Sequence, residues 1–441
     1  MKSKRLATNE MRYAGWIPLL LITLRTVAIR KRSRLAATRW SLECLTIVSG
    51  PVGFTTDLSK IQGLLSFLSK LSCVGHTTHT MWNALLVLPL LGLCAVKASL
   101  PEELFNSQFR SRLGSVLSKH QSIADMTIHP MRRRPGSRHV FSYKLLVGDH
   151  RTGKQTFVEL VGKRDTTQAA GKGAKEFEAM RLLWGAGFGQ DNRFRIPQPL
   201  HHFEDLQLII QEKARGTKLR TFLGDGSDTS FSHNRMAGLW LTKLHNMKVA
   251  RSRICEYENE KASLRTFVEA LRADQPQLEC VLQDYATTIE QRFHSFRGAD
   301  ATHVHGDFHP DHIYVGNGFI TVIDFERFCI GDPARDLGSF IAHMRSTAYS
   351  LGKSVQTVNQ EIIVFLESYF NCTPQAERAA IRLRIAPFVV LSSIEALYYV
   401  ASVLKVSNPT RIAMYAQCLL ESELLPINAD APPSRAQTVS A

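Results

Sequence analysis

The stretch 303-HVHGDFHPDHIYVGNGFITVIDFERFCIGDPARDL-337 carries the densest pattern in this 441-residue chain. It places Asp307 in the middle of a loop and Asp324 directly after a strand-like run. Residues 313–315 and 319–323 are two short apolar runs that predict a hairpin. Two carboxylates 17 positions apart, each at the end of a short strand, can therefore meet across the hairpin on one cleft.

Such a pair of carboxylates suits phosphoryl transfer to a hydroxyl group. That reaction needs an aspartate to align the hydroxyl and accept its proton. It also needs a divalent cation on the phosphates, and hard cations of this kind prefer oxygen ligands. The spacing therefore favours one aspartate that accepts the proton of the hydroxyl group and a second aspartate that binds the metal ion.

The same residues resemble a known family. HGDFHPDH (305–312) is similar to the H-G-D-x-x-x-x-N catalytic loop of aminoglycoside phosphotransferases and choline-kinase-like enzymes, and IDFERFCIGDPARDL (323–337) resembles that family's second block. The resemblance implies a protein-kinase-like fold in which Asp307 is the catalytic base and Asp324 the metal ligand. It also gives structural roles to His305, Asp332 and Asp336, the two aspartates bracing the loop through hydrogen bonds.

Upstream positions extend the resemblance to a nucleotide site. Lys163 lies where such kinases place the lysine that pairs with ATP phosphates, and Glu176 matches the helix glutamate that orients it. The stretch 209-IIQEKARG-216 resembles the hinge that holds adenine, which implies nucleotide contacts at three of its residues: Gln211, Glu212 and Ala214. The implied cofactors are ATP and Mg²⁺, with Mn²⁺ as an alternative metal. The implied partner is a small molecule with a hydroxyl acceptor.

One residue departs from the family pattern, and it leaves open whether the protein is catalytically active. His312 stands where the family has an asparagine metal ligand, and nitrogen is a poor partner for Mg²⁺. His312 is either a ligand or a hydrogen-bonding histidine, and Glu326 is a candidate outer carboxylate. The alternatives to a working small-molecule kinase are a pseudokinase that binds nucleotide without turnover and, more remotely, a metallohydrolase built on His303, His305, Asp307 and His309.

The expected fold class is α+β, with a small β-rich nucleotide lobe at residues 99–216 and a larger helical lobe at 217–426. A capping box at Ser99–Glu102 predicts an entry helix. Strands are predicted at 139–147, 155–163 and 206–212 and helices at 175–184 and, after residue 235, throughout the large lobe, with a nearly continuous apolar helix at 388–403. Residues 427–441 have a composition typical of disorder.

The first hundred residues differ from the rest of the chain. Residues 1–100 hold 13 Lys and Arg against 3 Asp and Glu, so this segment carries +10 of the net charge of +15. Residues 1–98 are interpreted as a basic and apolar extension, either membrane-associating or the product of an upstream start codon. Most of the net charge therefore lies outside the part of the chain that contains the predicted catalytic residues, so nucleic acid is not expected as a partner.

The eight cysteines form no paired spacing, which favours a reducing, cytoplasmic compartment, with peripheral membrane contact through residues 1–98 left open. The sequence does not indicate the oligomeric state or the identity of the acceptor.

Overall fold

The computed structural model describes residues 102–118, 120–132, 138–165, 171–248, 253–296, 301–406 and 415–416. The predicted extension at 1–98, the start of the capping box at Ser99 and the predicted tail at 427–441 lie outside these residues. The chain divides into two compact units, residues 1–104 and 105–441. The described part of the first unit is a short helical turn, Glu102–Leu104.

A small lobe opens the second unit and is built on one antiparallel sheet. Its strand order is β1-β2-β3-β6-β5. Helix α1 precedes the sheet and α2 follows the third strand; their bounds and those of the strands are α1 Ser107–Leu117, β1 Gln121–Arg132, β2 His139–Asp149, β3 Gln155–Arg164, α2 Lys172–Leu183, β4 Phe194–Arg195, β5 Pro199–Phe203 and β6 Leu208–Glu212. The strands predicted at 139–147 and 155–163 are confirmed as β2 and β3, which pair antiparallel from His139–Arg164 to Gly148–Gln155.

The beginning of this lobe has two features that the sequence analysis did not predict. The entry helix starts at Ser107, where the Asn106 side chain accepts a hydrogen bond from the N–H of Phe109 at 2.8 Å. An asparagine cap nearer the apolar face therefore determines the start. Strand β1 was not predicted, because Asp125 and Pro130 interrupt its apolar pattern. It lies at the edge of the sheet, and its pairing with β2 is irregular beside both residues. A sheet tolerates proline in an edge strand.

The large lobe is mostly helical, as predicted. Its first part is the short strand β7 Thr217–Lys218 and the helices α3 Asp228–His245, α4 Tyr257–Asp274 and α5 Glu279–Ser295. The site segment follows with β8 Thr302–Val304, β9 Ile313–Gly316, β10 Phe319–Val322 and β11 Cys329–Gly331. Helices α6 Ala334–Leu351, α7 Val355–Asn371 and α8 Gln375–Tyr398 complete the lobe, and a π-helical turn continues the last helix to Val403. The α+β class with a β-rich small lobe and a helical large lobe is confirmed.

Helices α6 and α8 pack closely at the centre of the large lobe. Gly338 allows this approach, because a Cβ atom there would lie 2.5 Å from the Cβ of Phe388. By length and composition the stretch Gln375–Val403 could cross a membrane, but 72% of its most apolar 18-residue window is buried inside the protein. That burial is typical of a core helix.

Two small sheets position the site segment. The hairpin of β9 and β10 is confirmed, with Ile313 opposite Val322, and it extends into a four-stranded sheet of order β4-β10-β9-β7. Strand β8 pairs antiparallel with β11, Val304 lying opposite Cys329. The loop after β8 and the loop after β10 therefore emerge next to each other.

Candidate active site

A buried carboxylate fixes the loop that follows β8. Asp336, in the first turn of α6, is fully buried and accepts hydrogen bonds from the backbone N–H groups of His305 (2.7 Å) and Gly306 (2.8 Å). His245 on α3 lies 3.1 Å from the same carboxylate through Nε2. Burial acts to raise the pKa of Asp336, but the His245 ring and the backbone donors hold it below its ordinary value.

The residues on either side of Asp307 are held by packing. Gly306 has a left-handed φ of 78°, and a Cβ atom there would lie 2.5 Å from the carbonyl oxygen of Arg327, so the loop needs glycine at this position. Phe308 is fully buried and stacks on Trp240 with ring centroids 5.7 Å apart. Asp307 is thereby presented at the cleft by two neighbours that have no freedom to move.

His305 connects the loop to the end of the hairpin. Its Nδ1 accepts the backbone N–H of Asp307 at 3.2 Å, and its Nε2 lies 3.0 Å from the carbonyl oxygen of Ile323. One acceptor and one donor are what a neutral imidazole offers. Burial also lowers the pKa of His305, which agrees with this neutral form. The uncharged side chain of His305 therefore connects the backbone of Asp307 to the backbone of Ile323, directly before Asp324.

Asp324 lies at the end of this connection in a strained backbone conformation. Its φ of 75° is in the left-handed region that favours glycine, although aspartate tolerates it better than most residues. Its Oδ1 is 3.1 Å from Lys163 Nζ and its Oδ2 is 3.3 Å from His312 Nε2. Burial acts to raise the pKa of Asp324, but Lys163 and His312 together hold it well below its ordinary range. Strain of this kind is concentrated at functional sites.

His312 bridges the two carboxylates. Its Nδ1 lies 3.0 Å from the carbonyl oxygen of Asp307, which can only accept, so Nδ1 donates and Nε2 faces Asp324. The same Nδ1 is 3.8 Å from the side chain of Asp307. Burial acts to raise the pKa of Asp307, but the charges of His312 and Arg327 lower it to about 2. Both predicted chemical residues are therefore carboxylates near neutral pH, and the hairpin brings them together as expected.

Lys163 and its partners form one wall of the cleft, which we call the lysine side and define as Arg138, Lys163, Glu176 and Asp324. Lys163 is 2.6 Å from Glu176 Oε1, and the Glu176 carboxylate is fully buried. Burial acts to lower the pKa of Lys163, but Asp324 and Glu176 raise it above its ordinary value. Lys163 of the predicted nucleotide site therefore contacts both its predicted partner, Glu176, and the predicted metal ligand, Asp324.

Arg138 was not among the predicted site residues, although it stands directly before β2. Its guanidinium bonds Glu176 Oε2, lies 2.7 Å from Asp165 and reaches Glu326 at 3.7 Å. Glu326 also pairs with Lys172 at 3.3 Å, so in this arrangement it serves the ion-pair network. Asp165 in turn accepts the N–H of Gly173 in the first turn of α2. Arg138 therefore ties the start of β2, the end of β3, α2 and the loop after Asp324 to one another.

Asp332 links three parts of the large lobe. It accepts hydrogen bonds from Tyr257 of α4 (2.5 Å) and Arg384 of α8 (2.6 Å), and its other oxygen accepts the N–H of Ala334 at the start of α6. The helix that carries Asp336 is thus capped and anchored by a residue four positions earlier. Neither Asp332 nor Asp336 lies in the cleft.

The predicted hinge lies at the end of β6. Gln211 is buried in the sheet opposite Val161, and the backbone N–H of Glu212 bonds the carbonyl of Gln198 at 2.9 Å. Ala214 follows two residues beyond the strand. The structure therefore places this segment at the exit from the small lobe, and its nucleotide contacts stay a prediction.

The second group of residues at the site is the histidine side, defined as Asp307, His309, His312 and His343. The His309 and His312 ring centroids are 3.7 Å apart, and His343 of α6 stacks on His309 at 4.5 Å. One ligand atom from each of Asp307, His309 and His312 lies within 4.8 Å of the others. The H-x-x-H spacing in one loop could have indicated the contact of His309 and His312, whereas no sequence signal connects them with His343.

The histidine set of the metallohydrolase alternative does not converge. His303 turns away, with Nδ1 3.2 Å from the carbonyl oxygen of Met247 and its ring stacked on Phe328. His305 is engaged by Ile323 as described above. Of the four residues of that motif, Asp307 and His309 approach each other, at 3.9 Å.

Residues 143–351 match the model of the phosphotransferase enzyme family, APH. This match confirms the resemblance drawn from the two sequence blocks, and both blocks lie inside the matched region. No curated protein sequence matches the chain.

Several solved structures align with part of this chain at low identity. An ethanolamine kinase from Plasmodium vivax aligns at 15% identity and a TM-score of 0.47, over 68% of this chain and 82% of its own. The amicoumacin kinase hAmiN, in complex with AMP-PNP and Ca²⁺, aligns at 15% identity and 0.48, over 74% and 96%. A choline/ethanolamine kinase family protein from Mesorhizobium loti aligns at 15% identity and 0.45, over 72% and 94%.

Proposed function

We propose, from the family match over residues 143–351, that this protein is an ATP-dependent kinase of a small molecule, transferring the γ-phosphate to a hydroxyl group. One observation carries the proposal: Asp307 and Asp324 both approach His312, and Lys163 joins Asp324 to Glu176. A positioned carboxylate for the acceptor, a second one for a cation and a buried lysine on the nucleotide side are the parts that phosphoryl transfer requires.

The donors around Asp324 fit a divalent cation. Two ligand atoms bound to one cation at ~2.1 Å lie ~3.0–3.4 Å apart, and Asp324 Oδ2 and His312 Nε2 are 3.3 Å apart. The bond from His312 Nδ1 to the Asp307 carbonyl is also the usual arrangement of a metal-binding histidine, since it directs the other nitrogen at the ion. Asp324 with His312 would hold the cation, which supplies charge neutralisation on the phosphates when bound.

Asp307 acts on the acceptor in this proposal. Its pKa of about 2 makes it a weak base, so its first contribution is to accept a hydrogen bond from the hydroxyl and align the attacking oxygen. The proton passes to the Asp307 carboxylate late, after the new bond to phosphorus has begun to form and the hydroxyl has become acidic. Lys163, held by Glu176, contributes a fixed positive charge toward the nucleotide phosphates.

A cytoplasmic location is part of the proposal. Cys255, Cys280, Cys329 and Cys372, the cysteines in the described residues, are free thiols, which fits a reducing compartment.

The test combines nucleotide binding with turnover. We expect the purified protein to bind ATP with Mg²⁺ or Mn²⁺ and to release ADP with at least one member of a panel of amino-alcohols, sugars and aminoglycosides. Asp324→Ala should weaken the metal-dependent part of ATP binding by at least about 10-fold, because it removes a ligand of the cation. Unchanged metal-dependent affinity in this variant would refute the role of Asp324, and nucleotide binding without turnover of any acceptor or of ATP itself would support the pseudokinase alternative.

The identity of the cation is tested by His312→Asn. An imidazole nitrogen favours Mn²⁺ over Mg²⁺, whereas an amide supplies a hard oxygen. ADP release by the original protein should therefore be greater with Mn²⁺, and the asparagine variant should shift the preference toward Mg²⁺. A preference for Mg²⁺ in both proteins would show that His312 does not bind the cation.

A further inference from the structure

Two cysteines of the large lobe lie on neighbouring stretches of backbone. Ile254 forms a parallel bridge with Ile330 of β11, in which the N–H of Cys255 donates to the carbonyl oxygen of Ile330 at 2.7 Å. Cys255 and Cys329 each lie one residue from the bridged pair, so their side chains project from the same face. The thiol of Cys329 donates a hydrogen bond to the sulfur of Cys255. The two residues therefore form a thiol pair.

A glycine leaves space beside this pair. Gly331 is the residue of β11 that lies next to Cys255, because a Cβ atom at this position would be 3.7 Å from the Cβ of Cys255. Without a side chain at position 331, the Cys255 side chain has room to lean along β11 toward Cys329. A disulfide requires the two sulfur atoms to approach to ~2.05 Å. The half-buried Cys255 side chain has the space to make that movement.

Two arginines approach the sulfur of Cys255. Nη2 of Arg253 is 3.4 Å from this sulfur, and Nη1 of Arg335 in the first turn of α6 is 3.8 Å from it. Arg335 also pairs with Glu260 at 2.8 Å, which fixes its position and offsets part of its charge. Positive charges beside a cysteine favour the thiolate, which is the form that attacks disulfides. The hydrogen bond from Cys329 and the two arginines hold the pKa of Cys255 below its ordinary value, although burial acts to raise it.

The two cysteines differ in exposure. Cys255 is half-buried, whereas Cys329 is fully buried. The shared hydrogen bond and burial raise the pKa of Cys329, so it keeps its proton while Cys255 is a thiolate. A reagent from solvent therefore meets Cys255 first, with Cys329 beside it to react second. An accessible thiolate next to a second cysteine is the usual arrangement of an attacking and a resolving cysteine.

We propose that Cys255 is a site of reversible thiol modification, at which its thiolate attacks a small-molecule disulfide and Cys329 resolves the product. In the first step the Cys255 sulfur forms a mixed disulfide and expels one half of the reagent as a thiolate. That thiolate takes the proton of Cys329, whose sulfur then attacks the Cys255 sulfur and expels the other half. Two protein thiols become one disulfide while the reagent is reduced to two thiols. Disulfides of this transient kind are compatible with a reducing compartment.

The experiment treats the folded full chain with oxidised glutathione, alkylates the remaining thiols and identifies each modified cysteine by peptide mass spectrometry. We expect Cys255 to react faster than Cys280 and Cys372, the exposed cysteines of the described residues. Lowering the pH from about 8 to about 6 should slow a thiol with an ordinary pKa of ~8.5 by roughly 50- to 100-fold. Cys255 should slow by less than about 10-fold, because its thiolate persists at the lower pH.

Variants separate the two roles. Cys329→Ser should stop the reaction at a mixed disulfide on Cys255, and Cys255→Ser should leave Cys329 reduced. Arg253→Ala removes one of the two guanidinium groups and should slow the reaction of Cys255 at about pH 6 by roughly 3- to 10-fold. Arg265→Ala is the matched control, since this exposed arginine pairs with Glu290 of α5, and it should react as the original protein does.

Three results would overturn the proposal. The first is a Cys255 that stays reduced, or reacts more slowly at about pH 6 than Cys280 or Cys372. The second is a mixed disulfide on Cys255 that persists in the original protein, and the third is an internal disulfide between Cys255 and a cysteine other than Cys329. None of these results affects the ADP-release test, because the proposal does not rest on phosphoryl transfer.

Discussion

The lysine side and the histidine side differ in how their charges are satisfied. On the lysine side, Lys163 approaches Glu176 at 2.6 Å and Asp324 at 3.1 Å, and Arg138 occupies the second oxygen of Glu176. On the histidine side the approaches to Asp307 are 3.8–3.9 Å, the rings of His309 and His312 contact one another, and His312 also lies 3.3 Å from Asp324. The lysine side is a closed network of short ion pairs, whereas the histidine side is a group of stacked rings with longer approaches to its carboxylate.

The two sides are therefore expected to contribute differently to the stability of the fold and to catalysis. Breaking a buried ion pair leaves an unpaired charge and is strongly destabilising, so the lysine side is expected to contribute to the fold as well as to nucleotide binding. Burial lowers the pKa of His309 and of His343, so these two rings carry no such charge, and changes to them should affect stability less than changes on the lysine side. Three predictions test this comparison.

The largest effect is expected from Asp307→Asn. The amide is almost the same size but cannot accept the acceptor proton, so kcat should fall by about 10²-fold or more while the Kd for ATP stays nearly unchanged. Steady-state ADP release and a nucleotide titration measure the two quantities. Asp311→Asn is the matched control, because Asp311 lies in the same loop but pairs with Arg220 at 3.1 Å. A loss of ATP binding in Asp307→Asn would instead indicate a structural role.

The next effect concerns the stability of the lysine side. Arg138→Ala leaves Glu176 and Asp165 with fewer partners inside the protein, and we expect it to lower the free energy of unfolding by about 2–3 kcal/mol. Arg112→Ala removes another arginine that pairs with an aspartate, Asp205 at 2.7 Å, but this pair is exposed. Its loss should have a clearly smaller effect, because solvent screens an exposed pair. Denaturant unfolding of both variants measures the difference, and equal losses would contradict the expected contribution of the lysine side to the fold.

The smallest effect is the response of the buried histidines of the site, His305, His309 and His343, to acid. Burial lowers the pKa values of His305, His309 and His343, so the unfolded chain binds more protons than the folded one below the ordinary histidine pKa of ~6.5. Stability is therefore complete above ~pH 6.5 and is lost as the pH falls below it. We expect Tm to drop by a few degrees from about pH 7.5 to about pH 5.5.

His343→Phe is the control for this pH dependence. It keeps an aromatic ring against His309 but removes one titrating group, so the acid-induced drop in Tm should become smaller. An identical drop would show that the pH dependence does not come from His343.

Most of the architecture could be predicted from the sequence because local patterns of apolar and polar residues indicate it. The hairpin of β9 and β10, the pairing of β2 with β3 and the helical large lobe each follow from apolar periodicity over a few residues. Strand β1 could not be predicted, because Pro130 and Asp125 interrupt its pattern and its stability comes from pairing with β2. The cap of α1 was not predicted either, because the sequence analysis considered only the capping box at Ser99, whereas the helix is capped by Asn106.

The sequence by itself determined the family resemblance and the positions of Asp307, Asp324, Lys163 and Glu176, because a fixed spacing on a hairpin and a strand–helix unit carries that information along the chain. Only the tertiary structure decided the contact of Arg138 with Glu176 and that of His343 with His309. These partners lie on different elements, and their ionisation and orientation depend on burial by surrounding helices and strands. Burial is a property of the packed molecule, so no local pattern could have predicted it.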